Sequence, residues 1–256
     1  MSYDRPIAPL ARRFATPATR PVVQPEKRIV PLTRRFEIMW LDEAGDVQEL
    51  TKIAPALPAF EEAFSAFTHG TQFATTEGPV AVEDLVPGMR LLTPEGREET
   101  LVWTGAITLV PNARSLRENP NRLYRVSADA LGLQRPSRDI MLGPDARLLN
   151  RDPAVLASVE AQAAFVPLTA YTDGVSVFEI QAVMPVRVYH LRTERHAALM
   201  ADGLAVESFH PRADLSHSLP EEILQVFLSL FPGKETLSSF GRSAYPRISE
   251  EAFQAL

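Results

Sequence analysis

The sequence predicts a mainly β protein, α+β overall. An all-β middle unit of short strands follows an N-terminal hairpin and short helix and precedes a helical C-terminal extension. Three observations carry this reading. From Thr71 to about Pro211, short apolar runs alternate with turn signals, as in a unit of many short strands. Proline is frequent, 22 of 256 residues, which favours strands, turns and loops over long helices. Helical spacing of apolar residues is confined to short stretches, chiefly outside that region.

Residues 1–33 are rich in Pro, Arg, Ala and Thr without periodicity, and read as a basic, disordered arm. Arg35–Leu41 is strand-like, Asp42–Asp46 is a turn, and Val47–Ile53 returns as the second strand of a hairpin. Pro58 opens a short helix in which Phe60, Ala63, Phe64 and Phe67 share one face, with Gly70 as the stop. Thr100–Thr104, Arg138–Leu142, Val186–Leu191 and Ala197–Met200 are strands among the turn signals. Asp152 caps a helix beginning at Pro153, with Val155, Leu156 and Val159 as a partial stripe. Ser218 is read as the cap of a helix from Pro220 that carries Phe227, Leu228, Leu230 and Phe231 and stops at Pro232-Gly233. Ser249 is the cap of a last helix through Leu256. The four apolar residues of the penultimate helix form either core or an interface.

Composition excludes several classes. There is no cysteine, which removes disulfides, thiolate metal sites and thiol nucleophiles. No apolar run is long enough to span a bilayer, and the first 30 residues lack the apolar segment of a secretory signal, so the expected location is cytoplasmic. The net charge of −6 is uneven: residues 1–35 hold eight basic and two acidic side chains, and the remaining body is strongly acidic. An acidic body does not read as a nucleic-acid binder; the arm is suited to an acidic surface, and a protein partner, if there is one, is unidentified.

The sequence offers little conventional catalytic equipment. Of the five histidines, His190, His196, His210 and His217 fall close together and are weak metal candidates, because no pair has a helical i, i+4 or zinc-motif spacing. Neither G-x-S-x-G nor a phosphate-binding glycine loop occurs, and no cofactor is expected. Ser65 and His69 are four residues apart at a helix end, a weak pairing. The adjacent carboxylates Glu61-Glu62, Glu98-Glu99 and Glu221-Glu222 read as solvated.

Four segments between Ser65 and Pro211 carry a resemblance. Ala66–Gly78 reads A-F-T-H-G-T-Q-F-A-T-T-E-G and is similar to an opening C-F-x-x-G-T-x-I-x-T-x-x-G. Val80–Thr93 is similar to V-x-V-E-D-L-x-x-G-D-x-V-x-T, and Asp139–Leu149 to D-L-x-V-S-P-x-H-R-x-L. Val188–Leu191, Arg195-His196 and Ala201–Ser208 are similar to Y-x-H-L…R-H…A-x-G-L-x-x-E-S. Together they resemble the Hint (Hedgehog/intein) domain, most of all the bacterial Hint-domain proteins common in alphaproteobacteria. The matched positions of interest are Ala66, Gly70, Thr71, Gly143, Ala146, His190, His196, Gly203, Glu207 and Ser208.

The resemblance implies a Hint-like β-domain over 65–211; the hairpin plus helix of 34–64 and the helical extension of 212–256 are not part of it. It also implies a chemistry to look for. A Hint domain attacks the carbonyl before its own first residue with a cysteine or serine, and a mid-chain histidine assists the leaving nitrogen. Here the first position is Ala66, the histidine position is Ala146, and the serine of that block is Gly143. The expected protein is therefore a degenerate Hint domain that works as a non-enzymatic binding or assembly scaffold. Two alternatives remain. One is residual self-cleavage by Ser65, Thr68 or Thr71, with His196 as base; the other is a metal-dependent hydrolase. Gly70, Gly78, Gly88 and Gly203 are expected in turns. Leu85, Leu91, Leu92, Trp103, Leu142, Leu148, Val188, Leu191 and Leu199 are expected in the core. Tyr189 and His196 are read as satisfied core polar residues rather than functional remnants.

Overall fold

The computed structural model describes Met1 and residues 32–117, 119 and 121–256. The basic arm lies almost wholly outside them. Among the described residues fifteen strands run in chain order: β1 Thr33–Leu41, β2 Val47–Pro55, β3 Phe67–Thr68, β4 Gln72–Thr75, β5 Gly78–Ala81, β6 Arg90–Leu92, β7 Glu98–Leu109, β8 Arg122–Val126, β9 Ile140–Leu142, β10 Arg147–Asn150, β11 Ala164–Pro167, β12 Val177–Gln181, β13 Val186–Thr193, β14 Ala198–Ala201 and β15 Leu204–Glu207. Five short helices accompany them: α1 Pro58–Glu62, α2 Pro153–Val159, α3 Leu215–Ser218, α4 Glu221–Leu228 and α5 Glu250–Gln254. The strand–turn reading of the middle region holds, and its ladders are antiparallel.

The long strand β7 organises the molecule. Its first residues pair with β6, and the rest pairs with β13 on one side and β1 on the other. The N-terminal hairpin is thus hydrogen-bonded into the sheet. It closes as the sequence predicts: Asp42 Oδ1 accepts from the Ala44 and Asp46 amides, and Leu41 faces Val47.

Two large apolar clusters lie on opposite faces of β7. One is internal to the middle unit and includes Phe67, Phe73, Leu91, Leu101, Leu142, Leu191, Leu199 and Val206. The other joins the hairpin, α1 and the C-terminal helices: Phe36, Phe60, Phe64, Trp103, Phe209, Phe227 and Phe231. Phe227, Leu228, Leu230 and Phe231 are core, not an exposed interface. Trp103 Nε1 donates to the Leu230 carbonyl at 2.9 Å, and the Trp103 and Phe231 rings lie 4.7 Å apart. The expected core leucines and valines are buried, with Leu92 only partly so.

Several local expectations are corrected. The helix after Pro58 ends at Glu62; Phe60, Ala63 and Phe64 enter the second cluster, whereas Phe67 begins a strand and enters the first. Spacing suggested one helical face because burial on two sides mimics it. Ser218 ends α3, and its hydroxyl turns back to the Leu215 carbonyl, so it caps nothing downstream. Helix α4 stops at Leu228, and the last helix stops at Gln254. Asp152 and Ser249 do cap α2 and α5, accepting from Ala154 and Ala252.

Candidate functional site

The site is the junction where the chain passes from α1 into β3. Its centre is the Ser65–Ala66 peptide link, with Ser65 fully buried and Ala66 1% exposed. Every polar atom of this link is engaged. The Ser65 carbonyl accepts from Asp145 N–H at 3.2 Å, and Ala66 N–H donates to the Tyr189 carbonyl at 3.0 Å. One residue on, the Ala66 carbonyl accepts from Gly143 N–H at 2.8 Å. The turn Gly143–Ala146 therefore grips the junction from one side and β13 from the other. Gly143 is required there by space: a Cβ on it would lie 2.1 Å from the Ser65 carbonyl oxygen. Ala146 is wholly buried, its methyl in the same cluster as Ala66.

A buried ionic cluster surrounds the Ser65 side chain. Ser65 Oγ lies 2.5 Å from Asp145 Oδ2 and 2.7 Å from the Glu61 carbonyl, and its single proton serves one of them at a time. Arg117 donates to the other Asp145 oxygen at 2.8 Å and approaches Glu61 Oε2 at 3.6 Å. Arg34 donates from Nε to Glu61 Oε1 at 2.7 Å. Burial and the nearby Asp145 charge push the Glu62 carboxyl up, against the pull of Arg212, Arg147 and Arg247. Glu61 is 1% exposed, so the solvated reading of Glu61-Glu62 is wrong. Glu99 is likewise buried and paired with Arg195 at 3.2 Å, while Glu98 stays at the surface. Sequence reasoning missed Asp145, Glu61, Arg34 and Arg117 because the partners lie 27 to 80 residues apart in the cluster's ties. No local spacing marks such a cluster.

The other candidates are occupied elsewhere. Thr68 Oγ1 donates to the Met141 carbonyl at 2.7 Å, and Thr71 Oγ1 to the Thr68 carbonyl at 2.8 Å. His69 is exposed and sits 3.2 Å from Glu83, while Ser65 is buried against Asp145, so the two do not form a pair. Gly70 and Gly203 take φ of +85° and +86°, the left-handed turn conformation expected for them.

The closing segment forms a second polar cluster. His196 Nδ1 accepts from the Ala244 amide at 2.9 Å, which places the proton on Nε2, 3.0 Å from the Ser208 carbonyl and 3.2 Å from Glu207 Oε1. Glu207 is buried; Arg247 at 2.8 Å and the His196 hydrogen bond outweigh that burial and hold its carboxyl below the usual range. Ser208 Oγ accepts from the Ala197 amide. Tyr189 is nearly buried, and burial pushes its phenol up. His190 accepts from the Leu191 amide and is packed between Phe67 and Phe209; burial lowers its pKa to about 3, so the ring is neutral.

Of the four candidate metal histidines, only His196 and His210 are in ring contact, at 4.9 Å. His210 is directed to the Pro211 and Gly241 carbonyls, and His217 is exposed at the end of α3. Among the described residues, no group of three His, Asp or Glu side chains is arranged to hold a metal ion. Nor does any described helix have the length and apolarity to cross a membrane.

Fold and junction together define an antiparallel β-protein whose first central strand begins at a peptide link clamped by a mid-chain turn. The family model described as a Hint domain matches residues 65–213, more than half of the chain. The chain belongs to the Hint-domain family. Solved structures similar to it include an intein-like domain from the bacterium Clostridium thermocellum, 17% identical, covering 57% of this chain and 99% of that one at a TM-score of 0.40. The TvoVMA intein is 10% identical and covers 56% of this chain and 97% of its own, also at 0.40. No curated protein matches the chain.

Proposed function

We propose that this Hint-fold protein has lost self-processing and serves as a binding or assembly scaffold. The observation that carries the reading is the enclosed Ser65–Ala66 link. Attack on the carbonyl before the first residue needs a nucleophilic atom on that residue and a proton for the leaving nitrogen. Ala66 and Ala146 supply methyl groups at these two positions, and both are buried. The amide N–H of the link is already committed to a backbone carbonyl. The hairpin upstream of the junction, β1 and β2, is paired to β7 and packed against the C-terminal helices, so this segment is part of the fold. The same features leave the extension and the sheet surfaces as the places where a partner would bind; that partner, and any role of the basic arm, is a matter for capture experiments.

One observation favours a second reading. Ser65 is hydrogen-bonded to a carboxylate that Arg117 orients. In that reading the Ser65 hydroxyl passes its proton to Asp145 and adds to the Phe64 carbonyl carbon. The Phe64–Ser65 C–N bond then breaks, its nitrogen takes up a proton, and an ester remains. Among the described residues, no backbone N–H is bonded to the Phe64 carbonyl oxygen, the atom at which charge would develop in this reading.

Intact mass decides between them. Purified chain is held for days with and without hydroxylamine, then denatured and weighed. The scaffold reading expects one unchanged mass, and the same for Ala66→Cys, whose new thiol still lacks a proton donor at Ala146. A fragment pair with its junction at Phe64–Ser65, abolished by Ser65→Ala, would establish the second reading and overturn the first.

A further inference from the structure

We infer that two copies of this chain pair antiparallel along β2, extending the sheet across a twofold axis. Among the described residues β2 pairs only with β1, so a nine-residue strand forms the sheet edge. The inference does not rest on the scaffold reading, since a self-cleaving chain would present the same edge.

The hairpin fixes which groups face outward. Asp42 N–H bonds the Asp46 carbonyl, and Ala56 N–H bonds the Leu32 carbonyl. In the β1–β2 register, the hydrogen-bonded partners are therefore the even-numbered residues of β2. Val47, Glu49, Thr51 and Ile53 turn their N–H and C=O groups to the open edge. All four carry an N–H, because the only proline of the strand is its last residue, Pro55.

This edge is self-complementary in one register. With the twofold at Leu50, Val47 meets Ile53 of the second copy and Glu49 meets Thr51, so that all four outward residues pair reciprocally. That gives about eight backbone hydrogen bonds. Leu50 faces its own copy, and Gln48 faces Lys52. Of the exposed apolar side chains of the strand, Val47 at 44% then meets Ile53 at 72% of the second copy on one face, and Leu50 at 43% meets its own copy on the other. A slip that moves the twofold to Glu49 sets two glutamates face to face. A slip to Thr51 sets Glu49 against Ile53 and Lys52 against Leu50, and a slip to Lys52 opposes two lysines. Like charges directly opposed disfavour the Glu49 and Lys52 registers, and charges set against apolar side chains disfavour the Thr51 register, which leaves the Leu50 register among these four.

A single-strand seam is small, and the expected association is reversible, in the micromolar to millimolar range. The absence of cysteine makes the test clean. In Leu50→Cys the two thiols would lie across the twofold with Cα atoms about 4.5 Å apart, within disulfide reach. In Gln48→Cys they would be four residues out of register, about 13 Å apart. Both variants are exposed to mild oxidant and run on non-reducing gels, and the unaltered chain is sedimented from about 10 μM to about 1 mM. The inference expects a cross-linked dimer for Leu50→Cys only and a sedimentation coefficient that rises with concentration. It also expects Thr51→Pro, which removes an outward N–H and leaves the ladder to β1, to stay monomeric with an unchanged circular dichroism spectrum. A Leu50→Cys chain that stays monomeric overturns it. So does equal cross-linking of both variants, or a sedimentation coefficient of the unaltered chain that does not change, as when another segment or protein takes the edge.

Discussion

Replacing Gly143 by alanine tests the rigidity of the junction. The added Cβ would sit 2.1 Å from the Ser65 carbonyl oxygen, 2.7 Å from its carbon and 3.2 Å from the Ala66 carbonyl carbon. These are backbone atoms at the start of β3, which is held between β13 and β9. No rotamer change relieves the contact. The turn must move away, stretching the bonds from Gly143 N–H to Ala66 and from Asp145 N–H to Ser65, now 2.8 and 3.2 Å. Overpacking a core costs about 1–3 kcal/mol, and each weakened buried hydrogen bond adds about 1 kcal/mol. The expected loss is therefore about 3–5 kcal/mol. At roughly 2–4 °C per kcal/mol for a chain of this size, Tm falls by about 6–20 °C. Urea unfolding and a thermal melt read this directly. A variant within about 0.5 kcal/mol of the parent would refute the claim that the turn clamps the link.

Other expectations concern the two clusters and the buried histidine. Trp103→Phe keeps most of the packing but leaves the Leu230 carbonyl without its 2.9 Å donor; a loss of about 1–3 kcal/mol is expected by urea denaturation. Asp145→Asn removes the charge facing Arg117, whose side chain is 17% exposed, and should cost about 2–4 kcal/mol while intact mass stays unchanged. A processing role for Asp145 would instead appear as slower fragment formation. His190 has a folded pKa of about 3 against an ordinary 6.5, so the unfolded chain binds the proton first. Its contribution is complete above about pH 6.5 and is lost as pH falls toward 3, at up to about 1.4 kcal/mol per pH unit. Replacing it with asparagine should flatten the stability profile between pH 4 and 6 by nearly one proton; an unchanged slope would show that the ring is not buried neutral.

Much of the architecture is written locally. The Asp42–Asp46 turn, the caps Asp152 and Ser249 and the strand–turn punctuation each depend on a few adjacent residues, so they can be read from the chain. The Val80–Thr93 and Ala201–Ser208 segments point to the family for the same reason, and the family match covers both. The errors fall where local spacing is ambiguous. Phe60, Phe64 and Phe67 repeat at helical steps, yet they serve two cores on opposite sides of β7.

Only the tertiary structure decided what the junction contains. Glu61 looks solvated because its neighbour is another glutamate; it is buried because Arg34 and Arg117 arrive from distant segments to neutralise it. Ser65 looks like the end of a helix and proves to be the contact of Asp145 across 80 residues of sequence. The hairpin's union with β7 and the burial of Phe231 against Trp103 are also long-range pairings. Turns and caps are set by neighbours along the chain, whereas burial and ion pairing are set by neighbours in space, and those exist only once the sheet has formed.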